Sequence, residues 1–156
     1  MKGALVFKRL VDVLRFRPIH LRWLGWRMLR LSSSATGRLL HVLLKALKLA
    51  FLVDAEFRQD IDPFEATYHF TDRDGKIQET AAFHSGCLTI SRRLIGQADA
   101  KLTFKNSKAL ADFLFSQRPD LLQAMLKQDV TPEGNLNYLY KLAYMANHLR
   151  LRFMPS

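Results

Sequence analysis

The sequence predicts an α+β fold: an antiparallel sheet of about five strands with helices packed on one face, preceded by a basic helical N-terminal segment. Three observations predict it. Apolar residues recur at helical spacing through the first third of the chain, they alternate with polar residues after Pro63, and they return to helical spacing after Ser107. At 156 residues, the chain has room for one such domain with its own core.

Residues 1–36 form the basic segment, with helices expected over 3–16 and 19–31. Pro18 separates them, because the residue before a proline is pushed out of the α region. The whole net charge of +10 lies in residues 1–50, where Asp12 is the one acidic residue. Such an excess predicts an anionic partner, either phospholipid or nucleic acid. The expected membrane contacts are basic or tryptophan side chains: Arg22, Trp23, Trp26, Arg27, Arg30, Lys45 and Lys48.

The N-terminus does not have the pattern of a secretory signal, because Lys8, Arg9 and Asp12 interrupt its apolar stretch. A transmembrane span is also excluded: residues 37–53 would make a helix of roughly 26 Å, short of the ~30 Å hydrocarbon core. We therefore expect a cytoplasmic protein at the membrane periphery. If residues 1–36 are a transit peptide, which their arginine-rich composition allows, the location is the mitochondrial matrix.

The second domain, residues 37–156, opens with GRLLHVLLKALKLAFLV, a helix expected to run on to about Phe57. Its polar residues follow one narrow stripe, expected to face water or phosphate headgroups: Arg38, His41, Lys45 and Lys48. The apolar residues turned to the sheet or its ligand are Leu40, Leu43, Leu44 and Leu47. Asp60-Ile61-Asp62-Pro63 ends the helical half.

Four strands follow at short spacing and predict an antiparallel meander. They are expected over residues 64–71, 77–84, 87–92 and 98–105. Asp74-Gly75 and Ser85-Gly86 supply the tight turns, since such turns need positive φ.

Short helices are expected after the strands, one capped by Ser107 and one with Pro119 in its first turn. Residues 128–134 fit either a loop or a short fifth strand. The final helix, from Leu136 to about Leu149, carries two apolar stripes: Leu136, Leu139, Tyr140 and Ala143, and beside it Tyr138, Leu142, Met145 and Leu149. Packing on a sheet needs one stripe, so the second predicts a further contact, with the N-terminal helices or with a lipid cavity.

No catalytic constellation is visible, so the sequence predicts no enzyme, no cofactor and no metal site. His84 and Cys87 resemble half of a zinc site, but a zinc site needs three or four ligands. We interpret them as a hairpin histidine and a buried cysteine. Cys87 is the single cysteine, so no internal disulfide can form.

The order FEATYHFTDRDGKIQETAAFHSGCLTI, ADAKLTF, SKALADFLF, RPDLLQAML and EGNLNYLYKL resembles the sterol carrier protein type-2 family. Ala98-Asp99 and Gly134-Asn135 are the most specific pieces. The resemblance covers residues 64–145 and implies a five-stranded sheet with helices on one face. In the family the fifth strand is usually a glycine-lysine run with alternating apolar residues, whereas this chain has KQDVTPEG. Pro132 cannot donate to a neighbouring strand, so it predicts a short or edge strand.

The resemblance also implies a hydrophobic tunnel for an acyl, sterol or isoprenoid lipid, and a non-catalytic carrier, with some bacterial relatives assisting quinone synthesis. The expected lipid-binding side chains are Phe83, Leu88, Ile90, Leu102, Phe104, Leu110, Phe113, Leu114, Met125, Leu139, Leu142 and Met145. Two alternatives stay open. The basic segment could bind nucleic acid, or the apolar helix faces could bind a protein partner in an assembly.

Overall fold

A computed structural model describes residues 33–59, 62–115 and 120–153. The expected helices over 3–16 and 19–31 lie outside this part of the chain, as do five of the expected membrane contacts: Arg22, Trp23, Trp26, Arg27 and Arg30. The division of the chain at residue 36 stays a prediction.

Helix α1, Ser33–Val53, ends earlier than the expected Phe57. A second helix, α2, follows over Ala55–Gln59. Asp54 separates them, and its Oδ1 accepts a hydrogen bond of 3.1 Å from the backbone N–H of Phe57. A carboxylate at this position satisfies a backbone donor that a new helix leaves free, so Asp54 caps α2.

Within the described residues, the sheet has five strands in the order β3-β2-β1-β4-β5. Their bounds are Ala66–Asp72 for β1, Gln78–His84 for β2, Cys87–Ser91 for β3, Ala100–Phe104 for β4 and Val130–Gly134 for β5. The pairings β1–β2, β2–β3 and β4–β5 are antiparallel. The turns lie where the sequence predicts them, with positive φ at Gly75, Ser85 and Gly86.

The expected four-strand meander is wrong at its last step, because β4 pairs with β1 in parallel rather than continuing beyond β3. The connection between β3 and β4 crosses the sheet instead. At its end, Asp99 accepts a hydrogen bond of 2.8 Å from the backbone N–H of Thr67 and donates its own N–H to the Thr67 carbonyl. Both contacts bind the start of β4 to β1, which becomes the central strand.

Strand β5 lies at the edge of the sheet and pairs with β4 alone. Pro132 is opposite Leu102 in that pairing, and an edge strand tolerates a proline that cannot donate. The structure thus confirms a short fifth strand at the edge.

Gly134 ends β5 at a close backbone approach. Its φ is +92°, and a Cβ there would lie 2.3 Å from the carbonyl oxygen of Asp99. The N–H of Asn135 donates to the same oxygen over 3.0 Å. Two segments that are far apart in the sequence therefore meet in space, Ala98-Asp99 and Gly134-Asn135. Their contact joins the start of β4 to the start of the last helix.

The remaining helices are α3, Ser107–Phe115, α4, Leu121–Leu126, and α5, Leu136–Phe153. Side chains just before each helix accept from its first free N–H groups. Asn106, rather than the expected Ser107, caps α3 by accepting from Ala109. Asp120 caps α4, and Asn135 accepts from the N–H of Asn137 at the start of α5. Pro119 lies outside the described residues.

Candidate functional site

An apolar interior lies between one face of the sheet and the helices. The strands contribute alternate residues that point to the same side, such as Tyr68 and Phe70 of β1 and Phe83 of β2. Helix α1 contributes Leu40 and Leu44 to the same cluster. The helices are thus held over one face, as predicted, and their side chains form a single core with the sheet.

Most of the expected lipid-binding side chains meet in this interior. Those fully buried in the cluster are Phe83, Leu88, Leu102, Phe104, Leu110, Leu139 and Met145. Those half-buried and packed against it are Ile90, Phe113, Leu114 and Leu142. Met125 is half-buried in α4 and does not belong to the cluster. The set is spatially coherent; its role in binding a lipid stays a prediction.

Aromatic rings that sequence reasoning did not assign to the site line one part of this interior. The rings of Phe51 and Phe57 stack with centroids 4.6 Å apart. Phe83 meets three rings edge-on, those of Phe51, Phe64 and Tyr68, with centroids 5.5–6.0 Å away. The alternation of apolar and polar residues from Phe64 to Phe70 already indicated that Phe64 and Tyr68 point inward. No sequence signal placed Phe51 and Phe57 beside them.

Tyr68 brings a polar atom into the interior. Its hydroxyl donates to the backbone carbonyl of Tyr138, 2.6 Å away in α5. Burial, with smaller contributions from Tyr138 and Asp99, raises the pKa of Tyr68 well above its ordinary value. The phenol therefore stays neutral and acts as a hydrogen-bond donor that joins β1 to the last helix.

His41 contradicts the expectation that the polar stripe of α1 faces outward. Its side chain is 10% exposed, and its Nδ1 lies 2.8 Å from Oε2 of Glu79, which is 4% exposed. Glu79 is opposite Phe70 on the helix-covered face of the sheet. A polar pair thus links α1 to β2 inside the apolar layer, where each group satisfies the other.

The outer side of α1 is cationic and apolar at once. Arg38, Lys45 and Lys48 are exposed, as predicted. Val42 and Leu52 are also exposed, at 58% and 60%. The face of α1 turned away from the sheet therefore combines basic and aliphatic side chains. The sequence pattern predicted polar side chains alone on this face.

Helix α5 buries only part of its apolar surface. Leu139, Tyr138, Leu142 and Met145 contact the core. From the other predicted stripe, Leu136, Tyr140 and Ala143 are exposed. Among the described residues, therefore, only one of the two stripes packs against the core. From the other stripe, Leu139 alone is buried.

The described residues hold no group of three His, Cys, Asp or Glu side chains that could bind a metal ion. His84 pairs instead with Glu65, with Nδ1 3.2 Å from Oε1, and both are exposed. Cys87, opposite His84 in the β2–β3 pairing, is exposed rather than buried as expected, because it belongs to the outward face of the hairpin end.

No helix among residues 33–59, 62–115 and 120–153 is long and apolar enough to cross a membrane.

Comparison with known proteins gives matches among solved structures alone, since no family model and no curated protein matches the chain. The structure of a ubiquinone synthesis protein, UbiJ-SCP2, superposes with a TM-score of 0.54 at 11% identity, covering 72% of this chain and 94% of that one. The described chain therefore has the fold of an SCP2 domain, as its sequence resemblance predicts.

Two further structures are similar over a smaller extent. The sterol carrier protein domain 2 of Helicoverpa armigera matches with a TM-score of 0.48 and 16% identity, covering 69% of this chain and 84% of that one. The sec-alkylsulfatase Pisa1 from Pseudomonas sp. matches with a TM-score of 0.46 and 20% identity over 58% of this chain. That match spans 14% of the length of Pisa1.

Proposed function

We propose that this protein is a non-catalytic lipid carrier, which holds an acyl, sterol or isoprenoid lipid between its sheet and its helices and works at an anionic membrane surface. The observation that carries the proposal is the SCP2 fold with a continuous apolar layer on its helix-covered face. A ligand of this class needs an apolar site with few polar groups. Tyr68, His41 and Glu79 supply polar groups in that layer, and each already has a partner.

The half-buried residues at the border of the layer are the expected entry for a lipid chain. Met125 combines partial burial with a flexible thioether side chain that adapts to irregular ligands. It is also outside the core cluster, so its replacement tests ligand contact with little effect on the core.

A matched pair in α4 tests the site. We expect Met125→Gln to weaken binding of a fluorescent fatty-acid probe several-fold, and Leu126→Gln, at a side chain 77% exposed, to leave it unchanged. Native mass spectrometry of the purified protein is expected to show a bound lipid. Protein that carries no lipid and takes up no acyl probe would overturn the proposal.

Membrane association is proposed to depend on the basic N-terminal segment together with Lys45 and Lys48. Each basic residue near an anionic surface contributes about 1 kcal/mol. Replacing Arg22, Arg27 and Arg30 by Gln in the full chain is therefore expected to weaken binding to phosphatidylglycerol vesicles at least tenfold. Unchanged binding in a sedimentation assay would contradict this part. Nucleic acid that co-purifies and competes with vesicles would favour the alternative partner.

An accessory role in lipid or quinone metabolism is a further part of the proposal. The ubiquinone synthesis protein of the same fold supports it, because a carrier can present a water-insoluble intermediate to an enzyme. Mass spectrometry would then find an isoprenoid quinone precursor, rather than a mixture of membrane fatty acids, in the purified protein.

A further inference from the structure

The connection between β3 and β4 crosses the face of the sheet that helices α1 to α5 leave uncovered. His69 and Thr80 project from this back face, since their neighbours Tyr68 and Ala81 point to the core. The backbone of the connection binds to both of these side chains. The segment therefore lies against the sheet on the side opposite α1.

Three hydrogen bonds hold this backbone. The Thr80 hydroxyl donates to the carbonyl of Arg93 over 2.7 Å and accepts from the N–H of Ile95 over 3.1 Å. The carbonyl of Ile95 lies 3.0 Å from Nε2 of His69. His69 and Thr80 are both buried, so the segment rests on a fixed support.

The side chains of the same segment point to solvent. Arg92 and Arg93 are exposed, Leu94 is 40% exposed and Ile95 is 55% exposed. The sequence from Ser91 to Ala98 contains no acidic residue. Two cations thus precede two exposed aliphatic side chains on a backbone that is already ordered, so little further entropy is lost when they bind.

We propose that residues 92–95 form a docking surface for anionic phospholipid, separate from the surface on α1. The arginines complement lipid phosphates, and Leu94 and Ile95 match the boundary between headgroups and acyl chains. Because this surface and the outer side of α1 point away from opposite faces of the sheet, one flat membrane cannot contact both. The domain therefore bridges two anionic surfaces. This inference rests on the proposed membrane association of the N-terminal segment and α1.

A fluorescent label tests the contact in the full chain. Cys87→Ser removes the single cysteine, and Leu94→Cys then accepts an NBD label at the proposed surface. With phosphatidylglycerol vesicles, we expect a several-fold rise in NBD emission and clustering of the vesicles measured by light scattering. The control is Leu122→Cys, at a leucine 62% exposed in α4, where emission is expected to stay constant.

Replacing Arg92 and Arg93 by Gln separates this surface from the other one. We expect the double variant to sediment with vesicles as the unsubstituted protein does, but to lose the clustering and most of the NBD response. Undiminished clustering, or a label at residue 94 that stays silent while the protein sediments with vesicles, would overturn the inference. Loss of sedimentation only in the variant with Arg22, Arg27 and Arg30 replaced would leave the proposed membrane association standing without the second surface.

Discussion

Thr103 and Phe104 are neighbours in β4, yet they belong to opposite faces of the sheet. Phe104 is 1% exposed and packs in the aromatic and aliphatic layer under the helices, where its ring lies 5.8 Å from that of Phe113. Thr103 faces the back, where its partners in the neighbouring strands are Thr71 and Thr131. The sheet therefore has two kinds of surface. Phe104 belongs to the face that excludes water, and Thr103 belongs to the face on which His69 and Thr80 hold a crossing segment through hydrogen bonds.

The two faces of the sheet contribute differently to the stability of the domain. On the helix-covered face, apolar burial stabilises the fold and leaves polar groups such as His41 and Glu79 dependent on a partner. On the back face, the side chains of Thr80 and His69 form hydrogen bonds with the backbone of residues 93–95. The side chains of residues 92–95 are exposed and contribute little to the core. The substitutions below test this division.

The largest effect is expected on the helix-covered face. Phe104→Ala removes a buried ring and leaves a cavity, so the free energy of unfolding should fall by about 3–5 kcal/mol. Ile95→Ala, at an apolar side chain of the back-face segment, should change it by less than about 0.5 kcal/mol. Urea denaturation followed by circular dichroism measures both. Equal losses would show that the two faces stabilise the domain alike.

His41→Ala tests the polar pair under α1. The change leaves the Glu79 carboxylate buried without its partner, which should cost about 2–4 kcal/mol in the free energy of unfolding. Lys45→Ala, on the exposed side of the same helix, is the matched control and should cost less than about 0.5 kcal/mol. Replacing His41 and Glu79 together by leucine should recover most of the loss. A double variant as unstable as His41→Ala would exclude the unpaired carboxylate as the cause.

Tyr68→Phe should have a smaller effect, about 1.5 kcal/mol, through loss of the hydrogen bond to the Tyr138 carbonyl. The effect should also depend on pH. Because folding raises the pKa of this phenol above the unfolded value of about 10, its contribution is complete below pH 10 and declines as the pH rises further. The variant should therefore lose less stability than the unsubstituted protein above that pH. Parallel losses in alkaline urea titrations would contradict this explanation.

The smallest expected effect is a gain on the back face. Within the part of the chain that the structure describes, Oγ1 of Thr103 is a buried side-chain oxygen without a hydrogen-bond partner. Thr103→Val keeps the shape and removes the unsatisfied group, so the free energy of unfolding should rise by up to about 1 kcal/mol. Thr89→Val, at an exposed threonine of β3, serves as the control. A loss of stability in Thr103→Val would indicate that the hydroxyl binds water.

The sequence predicted the strands and turns well because alternation and positive-φ residues are local signals. It could not predict that β4 lies beside β1, because alternation specifies which face a residue joins and not which strand is its neighbour. That pairing involves contacts between residues distant in the sequence, such as Asp99 and Thr67, which are 32 residues apart. The position of β4 therefore became visible only in the folded chain.

The predicted burial of side chains was correct where it follows from the helical or strand period, and it was incomplete at the borders of the apolar layer. The polar stripe of α1 was correctly predicted to lie mainly on the exposed side of the helix. One of its members is an exception, because His41 is buried whereas Lys45 is exposed. The same holds for α5, where Leu139 is buried and Leu136 is exposed. Residue spacing gives the angular position of a side chain around a helix. How many neighbouring positions become buried depends on the shape of the surface against which the helix packs.

The parallel pairing of β1 with β4 has a consequence for how the chain assembles. Strands β1, β2 and β3 are joined by short turns and can pair soon after they are synthesised, whereas β4 must close a much longer loop before it reaches β1. Until then, one edge of the central strand has no neighbour. We expect this intermediate to be the species most prone to aggregate, and the arrival of Asp99 at Thr67 to be the step that protects it.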